Sequence, residues 1–142
     1  MSIWKVPVDI ATINETIKNT LVELMGIQFT EIGDNFLKGS MPVDKRTHQP
    51  FGIMHGGASC VLAETLASIA ANYCVDPSKE FCVGLDINTS HLRMVKTGFV
   101  YGKAEPIHLG KTIQVWEIRI VDEQERLVSI TRLTLSVLQH RE

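Results

Sequence analysis

One acidic residue stands alone in a long apolar stretch of the chain. Between Gly56 and Val75 the sequence reads GGASCVLAETLASIAANYCV, and Glu64 is its only charged residue. Its Ala- and Leu-rich composition predicts a helix over 58–74, and a helix that is apolar around most of its circumference is usually buried. Because glutamate is seldom buried without partners, Glu64 is a candidate nucleophile or general base. The alternatives are a glutamate that reaches solvent at a groove and one that pairs with a structural arginine.

A histidine and two glycines directly precede this helix. The first backbone N–H groups of a helix have no internal partners and carry the positive end of the dipole, and the glycines of His55-Gly56-Gly57 let a ligand oxygen approach them. A carbonyl oxygen that becomes negative during acyl transfer would be stabilised there. Glu64 lies on the order of 10 Å further along the axis, so one chain does not obviously bring both groups to one carbonyl. Ser68 shares the face of Glu64 and either bonds a water or substrate there or only packs within the helix.

The segments around this helix predict a small antiparallel sheet. A short helix begins after Asp9, and strand composition marks 27–32, 36–41, 81–88, 98–104, 112–121 and 127–138. Pro106 to Gly110 and Asp122 to Glu125 are predicted turns. Short connections favour antiparallel neighbours. We therefore expect a single α+β domain over 1–142, in which about six strands wrap one long helix.

Length, net charge and cysteine content argue against several classes of partner and cofactor. The 142 residues suit one domain, and a net charge of -2 argues against a nucleic-acid or membrane-surface partner. The three cysteines and five histidines follow no metal-ligand spacing, so neither a metal nor another cofactor is expected. Sparse cysteines and the lack of an apolar leader at the start favour a cytoplasmic protein.

The stretch HQPFGIMHGG at 48–57, with an acid seven residues after its second glycine, resembles a known family. It is similar to the hotdog-fold acyl-CoA thioesterases of the phenylacetate-pathway and aryl-CoA type, and the similarity extends over nearly the whole chain. The resemblance implies a hotdog fold, a homodimer or homotetramer, and active sites at the dimer interface. It also implies hydrolysis of an aromatic acyl-CoA thioester, with the acid of one subunit facing the glutamine, histidine and glycine segment of the other.

The same resemblance implies a role for each matching residue. Glu64 would be nucleophile or general base, and the Gly56 N–H would polarise the thioester carbonyl. His55 and Gln49 would hold the carbonyl and the attacking or leaving groups, while Ser68 would support the hydrolytic step.

Further segments match those that hold coenzyme A in related thioesterases. The alternative is that they are ordinary polar strand ends, and His48, which matches no functional position, is expected to be a surface residue. The predicted substrate-binding residues are Gly84, His91, Leu92, Arg93, Met94, His108, Leu109, Gly110 and Lys111.

Three questions stay open at the level of sequence. The acyl donor is either free CoA or an acyl carrier protein, and the biological role is quinone (menaquinone) biosynthesis or, as the second choice, siderophore proofreading. A hotdog dehydratase is disfavoured by the spacing from the glycines to the glutamate. A non-catalytic acyl-CoA binding module would keep the CoA contacts without needing Glu64, Gln49 and Ser68 together.

Overall fold

The computed structural model describes residues 1–141. Six strands form one antiparallel sheet in the order β1-β2-β4-β5-β6-β3, and the long helix α3 packs on one face of it. The predicted α+β architecture is confirmed. In chain order the elements are α1 (Ile10–Thr16), α2 (Leu21–Leu24), β1 (Gln28–Ile32), β2 (Leu37–Pro42), α3 (Gly56–Tyr73), β3 (Glu80–His91), β4 (Phe99–Leu109), β5 (Ile113–Val121) and β6 (Leu127–Gln139).

Two glycines let α3 lie close against the sheet. Gly39 on β2 and Gly102 on β4 are cross-strand neighbours. A Cβ atom at either position would approach a δ carbon of Leu66 to 2.8 Å or 2.7 Å, respectively. Leu66 is fully buried, as is Leu62 one turn earlier. The absence of a side chain at Gly39 and at Gly102 therefore allows the close distance between α3 and the sheet.

The path of β3 differs from the prediction. Short connections favoured pairing of β3 with the next strand, but β3 pairs with β6 and lies at the edge of the sheet. Residues 92–98, which we call the cross-over segment, carry the chain from β3 to β4. Val95 is buried in the middle of this segment and anchors it to the core.

The predicted turn from Pro106 to Gly110 is also wrong, because β4 continues to Leu109. The strand accommodates the proline through a register shift between Pro106 and His108. The shift leaves Ile107, the residue after the proline, without a ladder partner, and bulges are among the few places in a sheet where proline occurs. Only Gly110 and Lys111 of the predicted binding segment lie outside the strand.

Helix α3 is buried on one face rather than all round. Its sheet-facing residues are buried, while Glu64, Thr65 and Ser68 on the other side are only half-buried. None of the helices within residues 1–141 could span a membrane.

We expect Gly102→Ala to destabilise the fold by about 1–3 kcal/mol, because the added methyl group overpacks the contact with Leu66. Equilibrium unfolding in urea measures the change in free energy. In a Leu66→Ala background the same substitution should cost much less, since the space it needs is then empty. An equal cost in both backgrounds would show that Leu66 does not set this contact.

Candidate active site

The loop before α3 is anchored at its start. Thr47 is buried, and its Oγ1 donates to Pro42 O at 2.8 Å while its own carbonyl accepts from His55 N at 2.7 Å. The Arg46 guanidinium bonds to Asp44 and lowers the pKa of that carboxyl to about 2, so Asp44 stays ionised at neutral pH. These contacts fix where residues 48–55, which we call the glutamine loop, leave the core.

Gln49 presents hydrogen-bond donors. Its Oε1 accepts from the backbone N–H of Phe51, and its backbone N–H and carbonyl bond to Ile53 O and Gly52 N within the same loop. An N–H can only donate, so the amide oxygen faces Phe51. The Gln49 amide nitrogen is thereby left for a ligand.

His55 caps α3 and leaves one backbone donor free. Its Nδ1 accepts from Gly57 N at 2.7 Å, and its carbonyl accepts from Ala58 N at 2.9 Å. With Nδ1 an acceptor, the ring proton of neutral His55 is on Nε2. The N–H of Gly56 has no hydrogen-bond partner in the described residues, so the helix start offers it to a ligand.

A cavity of about 630 Å³ opens beside this helix start. It brings together residues predicted separately as catalytic and as CoA-binding. His91 lies directly against Gly56, since a Cβ at Gly56 would lie 3.0 Å from His91 Nε2. The lining residues are Gln49, Ile53, Met54, Gly56, Ser59, His91, Leu92, Arg93, Met94 and Val128.

Glu64 and Ser68 lie elsewhere in the same chain and do not line this cavity. The Glu64 carboxylate rests on the backbone of Gly84, where a methyl group would overlap its Oε1. Within residues 1–141 Glu64 makes neither an ion pair nor a hydrogen bond, and the Ser68 hydroxyl is likewise unbonded. The arginine-paired alternative for Glu64 therefore does not apply within this chain.

The second predicted CoA segment lies near the opposite end of α3. Leu109, Gly110 and Lys111 line a separate cavity of about 380 Å³ together with Lys5 and Cys74, the residue that follows the helix. An 18-residue helix is roughly 27 Å long. One chain therefore does not unite this segment with the Gly56 cavity.

Sequence reasoning missed several residues of the cavity. Ser59 is fully buried, and within residues 1–141 its hydroxyl bonds only to the Met54 sulfur, at 3.8 Å. Val128 accepts hydrogen bonds from the N–H groups of Leu92 and Arg93. Small and apolar residues carry no chemical signal in a sequence, although Met54 lies inside the HQPFGIMHGG stretch. His48, which was expected to be a surface residue, is half-buried, and its ring makes a solvent-exposed hydrogen bond to Lys96 O.

Comparison with known proteins identifies the family. The model of the Thioesterase superfamily matches residues 51–129. The chain belongs to this superfamily. It has the hotdog fold predicted from the sequence and is a thioester hydrolase.

Relatives of similar length are similar over almost the whole chain. A proofreading thioesterase of Cronobacter turicensis is 48% identical over 96% of this chain and 98% of its own length. The 1,4-dihydroxy-2-naphthoyl-CoA hydrolase of Escherichia coli is 44% identical over 96% of this chain and 99% of its own. The crystal structure of a thioesterase variant from Pseudomonas aeruginosa is 46% identical with a TM-score of 0.96, covering 98% of this chain and 100% of that one.

Proposed function

We propose that this thioesterase hydrolyses an aromatic acyl-CoA, such as a 1,4-dihydroxy-2-naphthoyl or benzoyl thioester, to the free acid and CoA. The observation that carries the proposal is the free N–H of Gly56, which faces a cavity that Gln49 and His91 also line. An unpaired carboxylate, Glu64, lies on the half-buried side of the same helix. The name of the Escherichia coli relative supports the aromatic acyl group.

The proposed chemistry begins with polarisation of the thioester. The carbonyl oxygen accepts from Gly56 N–H at the positive end of α3, and His55 Nε2–H and the Gln49 amide donate to the carbonyl or to the leaving group. A donor of this kind contributes about 3–4 kcal/mol to stabilising the transition state. Glu64 either attacks the carbonyl to form an anhydride or takes a proton from the attacking water, with Ser68 bonding that water. Both routes add one water and release the acid and the CoA thiol.

Coenzyme A would then lie along two positively charged segments. Arg93, which lines the cavity with Leu92 and Met94, would contact a phosphate or the pantetheine. Lys111 and His108 of a neighbouring subunit, which lie near the opposite end of that subunit's α3, would contact the nucleotide. The resemblance implies that Gly84 contacts CoA. Its position also supports a second role, because the absence of a side chain there makes room for the Glu64 carboxylate.

A second copy of the chain would bring Glu64 to Gly56. Helix α3 runs antiparallel to β3, with Gly56 beside His91 and Glu64 beside Gly84. β3 is an edge strand of 12 residues. It exposes Val83 and Leu85, at 41% and 63% of their surface. Such an edge readily pairs with another strand.

The strand register defines how the two copies meet. A register shift between Gly84 and Asp86 leaves Leu85 outside the ladder. Gly84, Asn88 and His91 therefore pair with Leu135, Arg132 and Ser129 of β6, which puts Asn88 midway between the other two along the ladder. If two β3 strands pair antiparallel about a two-fold axis at Asn88, Gly84 of one chain faces His91 of the other. The Glu64 carboxylate of one chain then lies next to the Gly56 N–H of its partner. The proposed assembly is this homodimer, or a homotetramer made from two of them.

An acyl carrier protein is the second candidate donor. The Cronobacter turicensis relative is named a proofreading thioesterase, which supports a proofreading role. In that role the donor would be an aryl carrier protein, and the pathway would be siderophore rather than menaquinone biosynthesis. We place the enzyme in the cytoplasm, and its three unpaired cysteines support a reducing compartment. No nucleic acid, membrane, metal or cofactor takes part in the proposed reaction.

We expect Glu64→Gln to lower kcat by at least a hundredfold on aryl-CoA substrates, because the amide is neither a base nor a nucleophile. Thiol release measures turnover of benzoyl-, hydroxybenzoyl-, naphthoyl-, phenylacetyl- and long-chain acyl-CoA. Glu15→Gln, a surface glutamate of α1, is the matched control and should keep wild-type rates. Substrate binding without turnover by the folded wild type would favour the acyl-CoA binding module. Unchanged turnover in Glu64→Gln would remove Glu64 from the mechanism.

We expect Asn88→Cys to form a disulfide with its own copy under mild oxidation, because residues facing each other across paired strands meet the distance a disulfide needs. Non-reducing electrophoresis detects the covalent dimer. Arg132→Cys is the control, since Arg132 is the cross-strand neighbour of Asn88 on β6 but does not lie at the sheet edge. Cross-linking through Arg132 and not Asn88 would contradict the proposed pairing.

A further inference from the structure

We propose that His48 is a positioning residue that holds Gln49 in the cavity by tying the glutamine loop to the cross-over segment. The inference rests on the proposed function for the consequence it has on turnover. The effect of the His48 ring on the position of the Gln49 amide is inferred from contacts within one chain and does not depend on the substrate.

The His48 ring makes a specific contact outside its loop. Its Nε2 lies 2.8 Å from the carbonyl oxygen of Lys96, although the two residues are 48 positions apart in sequence. A carbonyl oxygen can only accept, so Nε2 carries the proton and donates it. His48 is half-buried, whereas Lys96 and the bond itself are exposed to solvent, so the contact is a short, directed bond at the surface of the fold.

The two arms of the glutamine loop are held in different ways. The second arm is tied to the cross-over segment through the backbone, by Met54 N donating to Val95 O at 2.8 Å. In the first arm, the hydrogen bonds of Gln49 all go to Phe51, Gly52 and Ile53 inside the loop.

Among the described residues, the His48 ring therefore makes the one hydrogen bond that ties residues 48–50 to another part of the fold. The tip between the arms supplies little support, since Phe51 is 89% exposed and Gly52 has a φ of 76°. Without the ring, residues 48–50 keep no hydrogen bond to the described residues outside the loop, and they are tied to the rest of the fold through the bridge between His48 and Met54 in the second arm.

This contact also joins two parts of the proposed site. The cross-over segment supplies Arg93 and Met94 to the cavity wall, and the next residues, Val95 and Lys96, hold the two arms of the loop. The relative position of the CoA-contacting segment and the Gln49 amide therefore depends on His48. A shift of about 1 Å in a positioned group can cost up to a hundredfold in rate.

The test compares substitutions that remove or keep the donor. His48→Leu removes the N–H, and we expect kcat on benzoyl-CoA to fall about tenfold with KM changed less than threefold. His48→Gln keeps an N–H that can reach the carbonyl and should recover at least a third of the wild-type rate. His140→Leu is the matched control, because that ring likewise bonds a backbone carbonyl, Pro77 O at 3.0 Å, far from the glutamine loop.

A double-mutant cycle shows whether His48 acts through Gln49. In a Gln49→Ala background, His48→Leu should lower kcat less than twofold, because the group it positions is already gone. A tenfold loss in both backgrounds, or no loss in either, would overturn the proposal.

A readout that needs no turnover separates this proposal from the proposed function. The side-chain amide signal of Gln49 in a ¹⁵N–¹H spectrum, assigned by its loss in Gln49→Ala, reports how firmly the amide is held. We expect an ordered signal in the wild type and His48→Gln, and a mobile one in His48→Leu. An equally ordered amide in His48→Leu would overturn the positioning role. Absence of aryl-CoA turnover in the wild type, with the amide behaving as expected, would overturn only the proposed function.

Discussion

The antiparallel docking of α3 on β3 is the contact on which the proposed active site depends. It places the start of the helix at the end of β3 and the middle of the helix at Gly84. Further contacts maintain this alignment, with the Cys60 thiol donating to Thr89 Oγ1 at 3.5 Å and the Asn72 side chain bonding both the N–H and the carbonyl of Cys82. Because an α-helix is rigid, fixing these points also fixes the separation between the donor at Gly56 and the acid at Glu64.

Because the distance from Gly56 to Glu64 within one chain is fixed, a second chain would be needed to bring the two groups together. The free edge of β3 and the half-buried face of α3 are the surfaces where that second chain would bind. The part of α3 that carries Glu64 and Ser68 is not covered by the chain's own sheet, and it lies next to the free edge of β3. In a monomer, an exposed strand edge with apolar side chains promotes unwanted pairing with other chains. In the proposed dimer the same surface is both the subunit interface and the place where the acid and the carbonyl-binding donors meet. Assembly and activity would then depend on the same contacts.

Composition and spacing predicted the local features of this chain and the α+β architecture, and the resemblance predicted the hotdog fold, but neither composition nor spacing predicted the order of the strands. The long helix, its lone acid and the His55-Gly56-Gly57 start are visible because they lie close together in the chain. The pairing of β3 with β6 is not, because it joins segments some 50 residues apart and strand composition does not specify a partner.

The same limit explains contacts that gave no signal in the sequence. Gly84 gave no signal of seating a carboxylate, since its role is the absence of a side chain beneath Glu64. His48 looked like a surface residue because its partner is a backbone carbonyl on a distant segment. The turn predicted at Pro106 follows a sound local rule, which the bulge in β4 overrides.

The most direct test of the two-chain site is complementation between two variants with impaired turnover, Glu64→Gln and Gln49→Ala. In a mixed dimer one site carries both substitutions and the other carries neither. Co-refolding equal amounts makes half of the dimers mixed, so about a quarter of all sites are intact. We predict that hydrolysis of benzoyl-CoA rises to about a quarter of the wild-type rate. Activity that stays at the level of the separate variants, in a sample where mixed dimers are shown to form, would contradict an active site shared between chains.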